Sequence, residues 1–256
     1  MSEKIRIYVA THKPTKLLPK DDIYTLLEVG AYNKPKFCVL RDNTGDNISE
    51  KNSSYCELTG LYWIWKNTND DISGLCHYRR FFVKRLGYFF KVIFGINSCI
   101  LKRKDIEKTI PKYDAIITRS SRHNRRPLGL AYYKSHCGKD LEVVKDIIKR
   151  RYPEYVPAMD EVLSSKIFHY GNTIICKKSV LDGYCEWLFD ILFEAEKSID
   201  VSTYDSYQKR QFGFLSERFL KIWLVTNNIK YKEYDLINTE DPCAFIWWLK
   251  RKLKKA

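Results

Sequence analysis

Short runs with strand periodicity alternate along this chain with longer stretches of helical periodicity, and that alternation restricts it to a layered α/β architecture. Residues 4–10 interleave charge with Ile5, Ile7 and Val9, and Thr11-His12-Lys13-Pro14 ends the run. Residues 36–40 predict a second strand that enters an Asp-rich loop at Asp42. Within 55–67, Leu58, Leu61, Tyr62 and Trp65 keep the three-and-four spacing of one helix face, with Ser53 or Ser54 as its cap. Further strands are expected at 72–78, 113–118, 173–177 and 229–234. Helices are expected at 132–151, 179–197 and 208–226, with a short one opening near Asp105. Tyr152-Pro153 must end the first of these, because proline cannot continue a helix. Strands separated by helices imply crossovers and therefore a largely parallel sheet. With 256 residues, 45% hydrophobic content and no repeat or Pro/Gly/Ser linker, residues 1–245 are expected to form one unit.

The strand at 72–78 runs into His77-Tyr78-Arg79-Arg80. Open α/β sheets bind ligands beyond the carboxyl ends of their strands, and guanidinium forks match phosphate oxygens, so this cluster suits a phosphate-bearing ligand. The plainer alternative is a solvated basic turn. Thr11, His12 and Lys13 follow the first strand at the same kind of position. Asp42, Asp46 and Asn47 offer short polar side chains for ribose or sugar hydroxyls, or else only Asx turns around Gly45.

Several linked motifs together resemble the DUF4422 family, found in bacterial capsule and polysaccharide gene clusters and regarded as glycosyltransferases. They are Arg41-Asp42-Asn43-Thr44-Gly45-Asp46-Asn47-Ile48-Ser49, the helix pattern from Tyr55-Cys56-Glu57 to Lys66-Asn67, and the strand ending in His77-Tyr78-Arg79-Arg80. Asn172-Thr173-Ile174-Ile175, Tyr184-Cys185-Glu186-Trp187-Leu188-Phe189 and the run from Gln208 to Phe219 continue the likeness, which covers about residues 5 to 235. The resemblance implies a GT-A-like nucleotide-sugar-binding fold with a mainly parallel central sheet flanked by helices. It also implies a hexosyltransferase acting on a UDP-sugar, with galactopyranose or galactofuranose among the candidate sugars. The acceptor would be an oligosaccharide on a polyprenyl diphosphate, in capsular, exopolysaccharide or O-antigen synthesis. Many GT-A enzymes hold a divalent metal through an Asp-x-Asp motif after a central strand. Here His77-Tyr78-Arg79-Arg80 stands at the corresponding place. Arg79 and Arg80 are therefore expected to meet the diphosphate charge directly, with manganese or magnesium, and His77 as a ligand, as the alternative.

An inverting transfer needs a base. Glu217 lies in Gly213-Phe214-Leu215-Ser216-Glu217-Arg218, where aromatics can exclude water and raise its pKa; its alternative role is an ion pair with Arg218 or Arg210. Asp205 is the second candidate base. For the acceptor cleft, His136 and His169 each lie beside aromatics, and Asn172, Arg210 and Arg218 complete the set; both histidines also suit purely structural roles. Trp63, Trp65 and Trp187 fall on apolar helix faces and belong to the core.

The net charge of +14 is local. Residues 79–104 carry eight cations and no acid, and residues 246–256 carry five more, again without an acid. Both segments interleave this charge with Phe, Trp and Leu, which suits the headgroup boundary of an anionic bilayer. Residues 82–104 are therefore expected to form an insertion facing membrane or acceptor, and 246–256 a basic aromatic tail. Residues 86–101 include Lys91 and are too short to span a bilayer, which takes roughly 20 apolar residues. Nucleic acid is the rival partner for such segments, but no recognisable nucleic-acid motif accompanies them, and it is not the expected one. A non-catalytic basic module binding membrane or nucleic acid is the alternative to an enzyme. The eight cysteines form no Cys-x-x-Cys pair and indicate no metal cage, and residues 1–6 lack an apolar signal run. Together these predict a reduced cytoplasmic protein lying peripherally on the inner face of the membrane.

Overall fold

The computed structural model describes residues 3–15, 17–84, 95–122 and 126–240. The expected basic tail at 246–256 lies outside them, as does the middle of the expected insertion, residues 85–94. The strands are β1 (Ile5–Thr11), β2 (Tyr24–Glu28), β3 (Leu40–Arg41), β4 (Ile72–His77), β5 (Arg80–Val83), β6 (Ala115–Thr118), β7 (Ser121–Arg122), β8 (Ile167–Phe168), β9 (Ile174–Lys177) and β10 (Tyr231–Asn238). Eight of them form one sheet in the order β3-β2-β1-β4-β5-β10-β6-β9, and β9 also pairs with β4, which closes a small barrel. β7 and β8 pair separately.

The sheet is mixed, which corrects the expectation of a mainly parallel one. β1 runs parallel to β2 and β4, β2 to β3, and β10 to β6. β5 and β9, by contrast, run antiparallel to their neighbours. For β5 the physical reason is the turn at Tyr78-Arg79. It pairs Arg80 back onto His77, so the chain returns beside β4 without the crossover that a parallel neighbour needs.

Period-two alternation sorts β1 between two cores. Ile5, Ile7 and Val9 pack with Ile72, Phe81 and Phe82 on one face, whereas Tyr8 and Ala10 pack with the helices on the other. Those helices are α1 (Asn52–Tyr55), α2 (Leu58–Asn67), α4 (Leu128–Ser135), α5 (Gly138–Arg151), α6 (Val156–Ser164), α7 (Lys178–Glu196) and α8 (Gln211–Thr226), with α3 (Arg103–Thr109) on the first face. Trp63 and Trp187 are buried, and Trp65 is partly buried with its ring stacked on Phe189 at 5.9 Å.

Local departures have identifiable causes. The expected helix at 55–67 is broken at Cys56, whose φ of 53° and ψ of −132° no helix accommodates, and no serine caps either piece. The expected helix at 132–151 is two helices, because His136 and Cys137 are extended. β2 was not expected, and of residues 36–40 only Leu40 is in a strand. Residues 82 and 83, assigned to an insertion, lie in β5. The seven described cysteines are free thiols. Among the described residues, no helix is long and apolar enough to cross a membrane.

This topology gathers functional positions at one end. The carboxyl ends of β1, β2, β3, β4, β6 and β10 share a rim, and residues 171–173, entering β9, reach the same rim.

Candidate active site

At the rim, Tyr78 donates its backbone N–H to Ala10, which ties the His77-Tyr78-Arg79-Arg80 turn to the end of β1 at 3.0 Å. Thr11 is fully buried, and its hydroxyl donates to the Lys13 carbonyl, shaping the bend that presents His12 and Lys13. The His12 ring lies 6.5 Å from that of His77 and meets Tyr78 edge-on at 5.4 Å, and the His77 and Tyr78 rings are 4.4 Å apart. The Lys13 ammonium sits 5.1 Å above the Tyr78 ring. Glu240 pairs with both Lys13, at 3.6 Å, and Arg79, at 3.2 Å.

Fixed cations set the electrostatics. Burial lowers the His77 pKa to about 3, helped by Arg79, Arg80, His12 and Arg210. Burial also lowers that of His12, helped by Lys13, Arg79, Lys34 and Arg210. Both imidazoles are therefore neutral at pH 7 and act as hydrogen-bonding groups, while the positive charge comes from lysines and arginines. His77 Nδ1 and Arg79 Nε are buried without hydrogen-bond partners. Such atoms cost about 1–3 kcal/mol each, so they mark a place where something other than packing dictates the geometry.

Glu217 rises from α8 into this region with its side chain 20% exposed. One carboxylate oxygen accepts the Gly171 N–H at 3.2 Å, and the other lies 3.5 Å from Arg218 Nη1. Burial raises its pKa to about 7, with Glu57 adding to the rise and Arg218 and Arg80 opposing it. Gly171 has a φ of +74°, and a Cβ there would stand 3.9 Å from Arg80 Nη1. Arg80 and Glu217 thus converge on one left-handed glycine.

A second carboxylate, not foreseen from the sequence, enters from the α1–α2 elbow. Glu57 accepts a hydrogen bond from Asn172 Nδ2 at 3.1 Å, and the Asn172 oxygen accepts from Ser216 at 2.9 Å. The buried Asn172 thereby joins the elbow to α8. Cys56 receives the Arg210 Nε–H on its sulfur at 3.3 Å, and burial pushes the thiol up to about 11. Its sulfur would lie 3.2 Å from a Cβ on Gly213, so the elbow packs closely on α8 because that position is glycine.

The other expected residues are tied into the surrounding structure. The buried Asp42 carboxylate accepts from the backbone of Gly30 and Ala31 and from the hydroxyls of Ser49 and Thr59. Asp46 accepts from Tyr62 at 3.0 Å, and Asn47 closes an Asx turn onto Ser49. Asp205 caps the turn at Tyr207 and Gln208 through its carboxylate. His169 is buried and bonds Glu233 at 2.9 Å, which holds the Glu233 carboxyl down at about 2. Arg218 lies 4.9 Å from both the Tyr132 and Phe168 rings and donates to the Phe214 carbonyl. His136 packs on Phe214 at 4.2 Å. The site therefore joins His12, Lys13, His77, Tyr78, Arg79, Arg80, Arg210 and Glu217 with the unforeseen Glu57, Cys56, Gly171 and Glu240. The only sequence signal for Glu57 is its place beside Cys56 in a motif-bearing run, since its partner Asn172 is 115 residues away.

The donor set does not fit a divalent ion. Among the described residues, no three His, Cys, Asp or Glu side chains stand together as a metal site. Glu28 and Asp42, the carboxylates just behind the rim, are saturated: Glu28 accepts from the Phe37 and Cys38 amides and pairs with Arg41 at 3.0 Å. The remaining groups at the rim include four cations, Lys13, Arg79, Arg80 and Arg210.

No curated protein matches the sequence. A solved structure described as the apo form of WbbM, a bifunctional glycosyltransferase, superposes with a TM-score of 0.78 and 27% identity over 93% of this chain. The chain spans 46% of the length of that protein. The family described as a domain of unknown function, DUF4422, matches residues 6–228, a span that contains β1, the His77-Tyr78-Arg79-Arg80 turn, the Cys56 elbow and Glu217. Its match extends over most of the chain and includes almost every residue that builds the rim, and so the chain belongs to the DUF4422 family.

Proposed function

We propose that this protein is a glycosyltransferase of GT-A-like fold that moves a hexose from a UDP-sugar to a lipid-linked oligosaccharide during synthesis of a bacterial surface polysaccharide. The observation that carries the reading is the meeting of two chemistries at one rim. A cluster of cations surrounds two neutral histidines, and a carboxyl with a pKa of about 7 abuts Arg80. The family and the likeness to a bifunctional glycosyltransferase support the same class of reaction.

In this scheme an acceptor hydroxyl oxygen attacks the anomeric carbon of the sugar, the bond from that carbon to the diphosphate oxygen breaks, and UDP departs. Glu217 takes the hydroxyl proton; a base with a pKa near the working pH combines adequate ionisation with driving force for that transfer. Arg79, Arg80 and Arg210 stabilise the negative charge that develops on the diphosphate, doing with fixed guanidiniums what a metal does elsewhere. His12, Lys13, His77 and Tyr78 complete the donor contacts. The excess of Lys and Arg over acids suits a negatively charged polyprenyl diphosphate and an anionic inner membrane surface.

Calorimetry of UDP binding tests the reading, run with manganese and with chelator, and with GDP and a short oligonucleotide as competitors. Selective UDP binding that survives chelation and is lost in Arg80→Ala is expected. Binding that requires manganese would replace the arginine clamp with a metal. Tight oligonucleotide binding without nucleotide binding would replace the enzyme with a non-catalytic module.

A further inference from the structure

Tyr207 is 54% exposed, yet the turn that carries it and the ring beneath it are tied by several hydrogen bonds. The Asp205 carboxylate accepts the backbone N–H groups of Tyr207, at 2.8 Å, and Gln208, at 2.7 Å, which fixes the turn. Beneath the Tyr207 ring lies His136, nearly parallel at 18° with centroids 6.0 Å apart. Phe214 supports both rings, 4.2 Å from His136 and 5.0 Å from Tyr207. Gln208 clamps the second layer to the same turn, since its side-chain oxygen meets His136 Nδ1 at 3.3 Å and its amide donates to the Ser135 carbonyl at 2.9 Å. An exposed ring is ordinary on a protein surface, but one carried on a capped turn and backed by one stacked and one tilted ring has less freedom to lose when a ligand arrives.

The place of this stack is informative. Arg210, Phe214 and Glu217 lie at i, i+4 and i+7, so they share one side of α8 and its entry turn. The Arg210 guanidinium sits 5.4 Å from the Phe214 ring. Phe214, on which the platform rests, therefore precedes Glu217 on that side by just under one helical turn, a rise of about 4.5 Å along the axis. Burial also lowers the His136 pKa, which keeps the middle layer uncharged at neutral pH. A saccharide ring offers an apolar C–H face beside a hydroxyl-bearing edge, and an aromatic surface bordered by a guanidinium and a carboxylate matches both.

We infer that Tyr207, backed by His136 and Phe214, forms a stacking subsite for a sugar ring of the acceptor, which holds that ring while a neighbouring hydroxyl faces Glu217. This inference rests on the glycosyltransferase reading and deepens it. It gives Asp205 and Gln208 positioning roles, since both act through the turn that carries Tyr207.

Saturation-transfer NMR on the intact protein with saturating UDP tests it, using the methyl glycosides of galactose, glucose, N-acetylglucosamine and rhamnose as probes. At least one glycoside is expected to receive saturation on its ring C–H protons. Tyr207→Ala should lower that signal at least about fivefold, and Tyr207→Phe should retain it. UDP affinity and the thermal midpoint should match the parent in both variants. Absence of saturation for every probe in the parent overturns the subsite, as does an unchanged signal in Tyr207→Ala or a Tyr207→Phe variant as impaired as alanine. A parent that fails to bind UDP sinks the glycosyltransferase reading itself, whereas normal UDP binding without dependence on Tyr207 sinks the platform alone.

Discussion

Burial lifts Glu217 from the ordinary carboxylate value of 4.5 to about 7, so the folded protein favours its protonated form. The resulting stabilisation is complete below about pH 4.5 and is lost as the pH rises through about 7. Glu217→Gln, which keeps the shape without the charge, is therefore expected to gain on the order of 1–3 kcal/mol relative to the parent at pH 8 and nothing near pH 4.5. Urea unfolding at the two pH values checks this. The same variant should lose transfer by roughly 100-fold or more while still binding UDP. Glu57→Gln retains an oxygen for Asn172 but removes a repelling charge, so the acid limb of the pH–rate profile should move down by a few tenths of a unit to about one unit. An unmoved limb would detach Glu57 from the chemistry. At this scale the sequence is partly legible: aromatic neighbours flag Glu217, and the basic run flags Arg79 and Arg80. Asp42 looks equally promising, yet its carboxylate is fully spent on internal hydrogen bonds, which only the fold reveals.

Among the elements, the α1–α2 elbow is the strained one. Cys56 holds φ 53° and ψ −132°, a conformation that glycine adopts readily and that costs other residues about 1–3 kcal/mol. Cys56→Gly should therefore be more stable than Cys56→Ala by about 1–2 kcal/mol, the reverse of the order usual in and around helices; thermal melts of the pair decide it. Both should weaken UDP binding if the sulfur helps to aim Arg210. In the sheet, a Cβ on Gly74 would meet Ile175 at 2.8 Å and the Ile174 carbonyl at 3.2 Å, because β9 presses directly on β4. Gly74→Val should cost about 2 kcal/mol or more, measured by denaturant unfolding. Element types were legible where periodicity was long, as in α7 and α8. β5 was not, because the reversal at Tyr78-Arg79 contains none of the Gly, Asn or Pro residues that announce a turn.

For the whole molecule, the layered α/β class follows from alternation alone, but the barrel closure does not, because which strands meet is settled by long-range pairing such as that of β4 with β9. If the proposed donor site is right, gathering Lys13, Arg79, Arg80 and Arg210 at one rim should make nucleotide affinity sensitive to salt. UDP affinity is expected to fall by about tenfold between 50 and 500 mM sodium chloride, and calorimetry across that range checks it. A flat response would mean that uncharged contacts dominate. The direction of β10 has a practical corollary. It ends at Asn238 opposite Arg80, and Glu240 just beyond touches Lys13 and Arg79, whereas β1 begins at Ile5 at the far pole. A resin or sensor chip tethered through a side chain near Ile5 leaves the mouth of the cleft open to solution, while a dye or linker attached at Glu240 starts within reach of the arginines it is meant to leave undisturbed.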